Sequence, residues 1–208
     1  AYGLNKFSSE HGITEDILTD FRAWYALLVK WNARINLVSK SAMDEFWLRH
    51  ALDSWQVAKH VPESSTALLD LGSGGGFPAL ALAIDAKHHK TGRHITLVES
   101  AGKKANFLRT VIRELGLPAT VKSERVENLD PEPFDVITAR AFAPLPKLLS
   151  YATPFWEAHT LALLLKGQGA TDEIKDAQQN WAFEHDLIPS KSDPDASLLK
   201  LSHLKSKH

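Results

Sequence analysis

Cysteine is absent from the 208 residues, which excludes disulfides, thiolate metal sites, iron–sulfur clusters and any thiol nucleophile. Such a chain suits a reducing compartment. No apolar run approaches the roughly 20 residues of a bilayer-spanning helix, and the opening AYGLNKFSSE lacks a charged-then-apolar leader pattern. A soluble, cytoplasmic protein without membrane attachment is expected, and a monomer. An excess of one charge is also missing. The 24 Lys and Arg face 25 Asp and Glu, which argues against a strongly basic nucleic-acid coat but leaves room for a local patch. The ten His show neither H-x-x-x-H nor H-E-x-x-H spacing, so no metal is expected.

Hydrophobic residues make up 44% of the chain, with six Trp and nine Phe, a composition that packs a core. The length suits one domain, alone or with an appendage. Apolar residues at Ile17, Leu18, Phe21, Trp24, Tyr25, Leu28 and Trp31 recur at three-and-four spacing and predict a helix over 13–31, with Thr14 as its cap. A second helix is predicted over 42–60, ending before Pro62 and the serines that follow. Residues 1–65 therefore read as a helical cap. Trp31, Trp47 and Trp55 read as its core anchors.

From residue 66 the period changes. Strands are predicted at 67–71, 94–98, 119–122, 134–138 and 160–166, with helices at 78–85, 102–115 and 145–155 between them. This alternation predicts a Rossmann-like α/β domain over 66–208, its mostly parallel sheet covered on both faces. A helix over 170–179 precedes two strands, 181–188 and 197–204, joined by a turn-rich segment. They predict an antiparallel hairpin at the C-terminal end of the sheet.

The most informative stretch runs from Leu68 to Pro78, an apolar strand followed by a glycine-rich turn. Glycines there let the backbone approach a ligand at the carboxyl end of the strand. The dinucleotide fingerprint requires glycine or alanine where this chain has Phe77, and the nucleotide-phosphate signature is absent. The pattern is Asp70-x-Gly72-x-Gly74-x-Gly76, the usual first motif of class I methyltransferases. Glu99 follows the next strand, where a carboxylate can accept from both ribose hydroxyls of a nucleoside cofactor. Each feature alone also suits a structural turn or a solvated carboxylate; in this strand–loop–helix context they point to S-adenosylmethionine.

The absences then narrow the methyl acceptor. Methylation at C5 of a pyrimidine needs a cysteine, and no Pro-Pro pair exists for the motif common in exocyclic amine methylation. A nucleophile with a free lone pair, such as guanine N7, remains and needs alignment rather than a general base. Between Glu99 and Arg125 six basic residues face three acidic ones, a net +3. Of these, Lys103, Lys104, Arg109, Arg113 and Arg125 are candidate RNA contacts; a solvated helix face is the alternative.

Six ordered motifs carry a resemblance: Trp31-Asn32-Ala33-Arg34-Ile35-Asn36-Leu37, Arg49-His50-Ala51-Leu52-Asp53-Ser54, the loop from Asp70 to Pro78, Arg125-Val126-Glu127, Ala139-Arg140-Ala141-Phe142-Ala143 and Leu165-Lys166-Gly167-Gln168. Together they resemble the bacterial RsmG (GidB) family, methyltransferases of guanine N7 in small-subunit ribosomal RNA. The likeness spans residues 4–169 and weakens beyond Thr171. It implies S-adenosylmethionine as cofactor and 16S ribosomal RNA or the small ribosomal subunit as partner. Gly72 and Phe77 match positions lining the cofactor pocket, Val126 and Glu127 the stretch beside the adenine, and Glu99 the acidic position. Arg140 matches an arginine at the cofactor–substrate boundary. Asp70 and Gly74 complete the expected cofactor loop.

Arg140, just after the predicted strand 134–138, and Lys166, ending the next, are expected to orient phosphate or guanine, not to act as bases. Among Arg49, His50 and Asp53, the last two are three apart on a predicted helix and could pair on one face; the group suits a contact between cap and sheet, or else an RNA contact or a lid over the pocket. Two rival readings remain: a small-molecule methyltransferase with the helical cap over its acceptor, and a non-catalytic RNA- or ribosome-binding protein that keeps the Rossmann-like shell.

Overall fold

The computed structural model describes residues 2–11 and 13–208. After a short helix, α1 (Leu4–His11), the Thr14 hydroxyl caps α2 (Glu15–Ile35) by accepting from the Ile17 N–H at 3.4 Å. Asn36, in the left-handed conformation, closes its far end. Ile17, Leu18, Phe21, Trp24 and Leu28 form the buried face, as their spacing predicts.

The helix predicted over 42–60 is broken. It comprises α3 (Lys40–Asp44), a π-helical turn (Phe46–Leu52) and α4 (Asp53–Ala58). The wider π turn shifts the side-chain frame by one residue, so the stripe read as one helix changes face partway along. Residues 50–55 are buried in succession as a result.

The seven strands are β1 (Ala67–Leu71), β2 (His94–Val98), β3 (Ala119–Lys122), β4 (Val136–Arg140), β5 (Leu161–Lys166), β6 (Trp181–Pro189) and β7 (Ser197–Ser206), in the order β3-β2-β1-β4-β5-β7-β6. The first five are parallel, and β7 runs antiparallel to both β5 and β6. The expected late hairpin is present, with its second strand on the inside. The fourth strand starts at Val136 rather than Phe134 and runs two residues further than predicted. Phe134 instead packs on Phe155 and donates its N–H to the Phe155 carbonyl at 3.1 Å. Arg140 is thereby the last residue of the strand.

Helices α5 (Ala79–His89) and α6 (Gly102–Leu115) join α2 and α4 on one face; α7 (Leu145–Ala152) and α8 (Ala170–Ala177) cover the other. The central strands feed both layers: Leu68 and Leu163 point into the first, Leu69 and Leu164 into the second. The helices of the first 58 residues share one buried cluster with the sheet, centred on Phe21, Trp24, Phe46 and Phe77. Burial of each such ring is worth about 1.5–3 kcal/mol. Among the described residues no helix is long and apolar enough to cross a membrane.

Candidate functional site

Beyond β1 the chain turns through residues 72–78. Gly72 and Gly76 have φ of 67° and 99°, a conformation that favours glycine. A Cβ on Gly72 would overlap the Phe142 ring, and one on Gly76 would overlap Leu80. The Gly72 and Ser73 N–H groups donate to the Val98 carbonyl at 3.0 and 3.1 Å. From the helical layer, Trp24 Nε1 donates to the Gly75 carbonyl at 3.3 Å. Beneath the loop Asp70 is fully buried, its Oδ2 accepting from the Ser73 hydroxyl at 2.6 Å. Burial pushes its carboxyl up to about 7, against the pull of two hydroxyl donors, with the Glu99 charge adding to the rise.

Two cavities adjoin at the carboxyl edge of the sheet. The first, of about 200 Å³, is lined by Gly72, Val98, Glu99, Val126, Glu127 and Tyr151, among others. Glu99 is buried, which raises its pKa, while Lys104 opposes the rise. Glu127 also lines the cavity and is open to solvent; its own backbone N–H, then the Tyr151 hydroxyl and the Arg125 and Lys147 charges, hold its carboxyl low. Of the residues expected at the cofactor, Gly72, Glu99, Val126 and Glu127 line this cavity. Asp70, Gly74, Phe77 and Arg140, also expected at the cofactor, do not: Asp70 braces the loop from below, Phe77 turns into the core between Trp24 and His50, 5.0 and 4.3 Å away by ring centroid, and Arg140 lines the neighbouring cavity.

The second cavity, of about 510 Å³, shares Phe142 and Ala143 with the first. Arg49, Asp53, Arg140, Lys166, Ser190 and Asp193 line it. Arg140 Nη1 lies 2.9 Å from His50 Nδ1 and 3.5 Å from the Arg49 carbonyl oxygen, and its guanidinium sits 5.8 Å from the Phe77 ring centroid. Lys166 pairs with Glu173 at 3.1 Å, and the same Glu173 oxygen accepts from the Leu145 N–H. Arg49 pairs with Glu45 at 2.6 Å.

His50 and Asp53 do not meet each other. His50 reaches Arg140, and Asp53 Oδ1 accepts from the Ser190 and Ser192 hydroxyls of the β6–β7 loop, the first at 2.9 Å. Both therefore join the cap to the sheet. The sequence reading missed Ser190, Ser192 and Asp193, whose only signal was a turn-rich composition. On α6 and after it, Lys103, Arg109, Arg113 and Arg125 are exposed and Lys104 is half-buried; Arg125 also lines the first cavity.

A family model for rRNA small subunit methyltransferase G (GidB) matches residues 17–199. The ribosomal RNA small subunit methyltransferase G of Parvibaculum lavamentivorans is 44% identical over 200 residues, covering 95% of this chain and 88% of that relative. Its namesake from Rhodospirillum centenum is 41% identical over 204 residues, covering 98% of this chain and 92% of that one. Among solved structures, the ribosomal protein L11 methylase of Lactobacillus delbrueckii subsp. bulgaricus superposes with a TM-score of 0.58 at 14% identity, covering 80% of each chain. That likeness is one of fold.

Proposed function

The chain belongs to the GidB family, rRNA small subunit methyltransferase G, and we propose that it transfers the methyl group of S-adenosylmethionine to N7 of a guanine in 16S ribosomal RNA. The observation that carries this reading is the pair of adjoining cavities, one lined by the buried Glu99 carboxylate and one by Arg49, Arg140 and Lys166 together with Asp53, Glu173 and Asp193, sharing Phe142 and Ala143.

The donor set of the first cavity fits the cofactor. Glu99 would accept from the ribose hydroxyls, Val98 and Val126 would flank the adenine, and Gly72 leaves its backbone open to the ligand. S-adenosylmethionine, when bound, supplies an electrophilic methyl group on a sulfonium. The chain's own task is alignment, because guanine N7 carries a lone pair and no proton has to leave before attack. The product ring is cationic, so a cation held against N7 would oppose the reaction. Arg140 is therefore assigned to RNA phosphate. Lys166, already paired with Glu173, helps shape the acceptor wall. Lys103, Lys104, Arg109, Arg113 and Arg125 would track the RNA backbone outside the cavities.

The test is methyl transfer from labelled cofactor into small-subunit RNA, naked and in assembled particles, followed by nucleoside digestion. Label in 7-methylguanosine is expected. Label in another nucleoside, or in none, would overturn the proposal.

A further inference from the structure

Every polar hydrogen of a guanidinium is a donor, so Arg140 Nη1 at 2.9 Å obliges His50 Nδ1 to act as a lone-pair acceptor. The proton of the neutral ring then sits on Nε2. That atom is buried and has no hydrogen-bond partner among the described residues, a cost of holding the ring in this tautomer. Tilting the ring to relieve it would break the stack on Phe77, at 4.3 Å with an interplanar angle of 24°, and turning it over would lose the hydrogen bond from Arg140 to Nδ1. The other acceptor on Arg140, the Arg49 carbonyl, is also neutral.

The three cations lining the second cavity differ in their partners. Arg49 and Lys166 each pair with a carboxylate, whereas no carboxylate among the described residues lies within 4.0 Å of the Arg140 guanidinium. Asp53 acts on it only at longer range, and its Oδ1 is occupied by Ser190 and Ser192. An acidic residue at position 50 would give the same geometric grip but would compete for the charge with any incoming anion.

We propose that His50 is a positioning residue for Arg140, a neutral acceptor that fixes the guanidinium without neutralising it, so that the whole charge is presented to a phosphodiester of the RNA. This rests on the RNA-methyltransferase reading given above. Burial, and the charges of Arg140 and Arg49, hold the ring pKa down at about 3, so the acceptor lone pair persists at neutral pH.

Asn and Asp both place an oxygen near the position of Nδ1 and differ in charge, which gives a paired test with unmodified small-subunit RNA and S-adenosylmethionine. His50→Asn should keep the KM for RNA within about threefold of wild type. His50→Asp should raise it at least about tenfold and make log affinity against log salt shallower by about 0.7–0.9, the loss of one phosphate contact. Cofactor affinity, measured by calorimetry, should stay within about twofold in both. Wild-type RNA affinity and salt slope in His50→Asp would overturn the proposal, as would equal impairment of the two variants. Should both variants unfold, nitrogen-15 NMR of the wild-type chain decides. A bare Nδ1 with a protonated Nε2 supports the proposal, and a protonated Nδ1 overturns it. If the wild-type chain neither binds nor methylates RNA, the functional reading falls and takes the phosphate with it; wild-type activity with an indifferent His50→Asp overturns the positioning role alone.

Discussion

Thr138 donates its hydroxyl to Asp70 Oδ1 at 2.6 Å, across the paired strands β4 and β1. With Ser73 on the other carboxylate oxygen, Asp70 ties the glycine turn to the neighbouring strand from beneath. Thr138→Val keeps the shape and removes the donor, leaving a buried oxygen short of a partner. Stability should fall by about 1–3 kcal/mol, read from urea unfolding, and Thr138→Ser should restore most of it.

Gly72→Val should abolish cofactor binding in calorimetry. A β-branched residue at φ 67° carries about 1–2 kcal/mol of backbone strain, and its side chain would collide with Phe142 at the wall of the first cavity. Retention of wild-type affinity would remove this turn from the cofactor site.

Arg140→Ala should fold, since the residue is half-buried at the end of a strand, yet lower kcat/KM for RNA by about tenfold or more. Methyl transfer at the wild-type rate would refute its assignment to the substrate.

Arg109→Ala combined with Arg113→Ala removes two exposed cations from one face of α6. Melting temperature should hardly move. RNA affinity should drop, and its salt slope should become shallower by about 1.4–1.8 if each arginine meets a phosphate.

Two buried groups give stability opposite slopes with pH. His50 titrates at about 3 when folded and at 6.5 when free, so between those values only the unfolded chain takes up a proton and stability falls as pH drops below 6.5. Asp70 is raised from 3.8 to about 7, so the folded chain keeps a proton the unfolded chain loses, and stability falls as pH rises through that window. Unfolding measured from pH 4.5 to 7.5 should show a smaller acid loss for His50→Asn than for wild type, and a smaller loss on the way up for Asp70→Asn.

Most of the fold was legible because the strands are short apolar runs bounded by turn residues, and a doubly covered sheet needs little more to be recognised. Phe134 misled the start of β4: an aromatic beside a strand reads as part of it, but here it anchors on Phe155 through a contact that periodicity does not encode. The π turn was equally hidden, since spacing assumes one helical period throughout. Glu99 was readable in a strand–loop frame, whereas Val126 and Glu127 came only from the family resemblance. The partners of His50 and Asp53 were not, because Arg140 is 90 residues from His50 and Ser190 is 137 from Asp53. No local pattern specifies which turn of a helix will face which loop.

The inward place of β7 has a consequence for how the sheet is completed. β6 touches the sheet only through β7, although it is made first. Until residues 197–206 have been synthesised, β5 presents a bare row of backbone donors and acceptors, and β6 has nothing to pair with. A ribosome stalled after β6 would therefore hold a chain whose β5 flank is sticky and whose second cavity still lacks the wall made by Ser190, Asp193 and Ser197. Shortening the chain by β7 alone costs two strands.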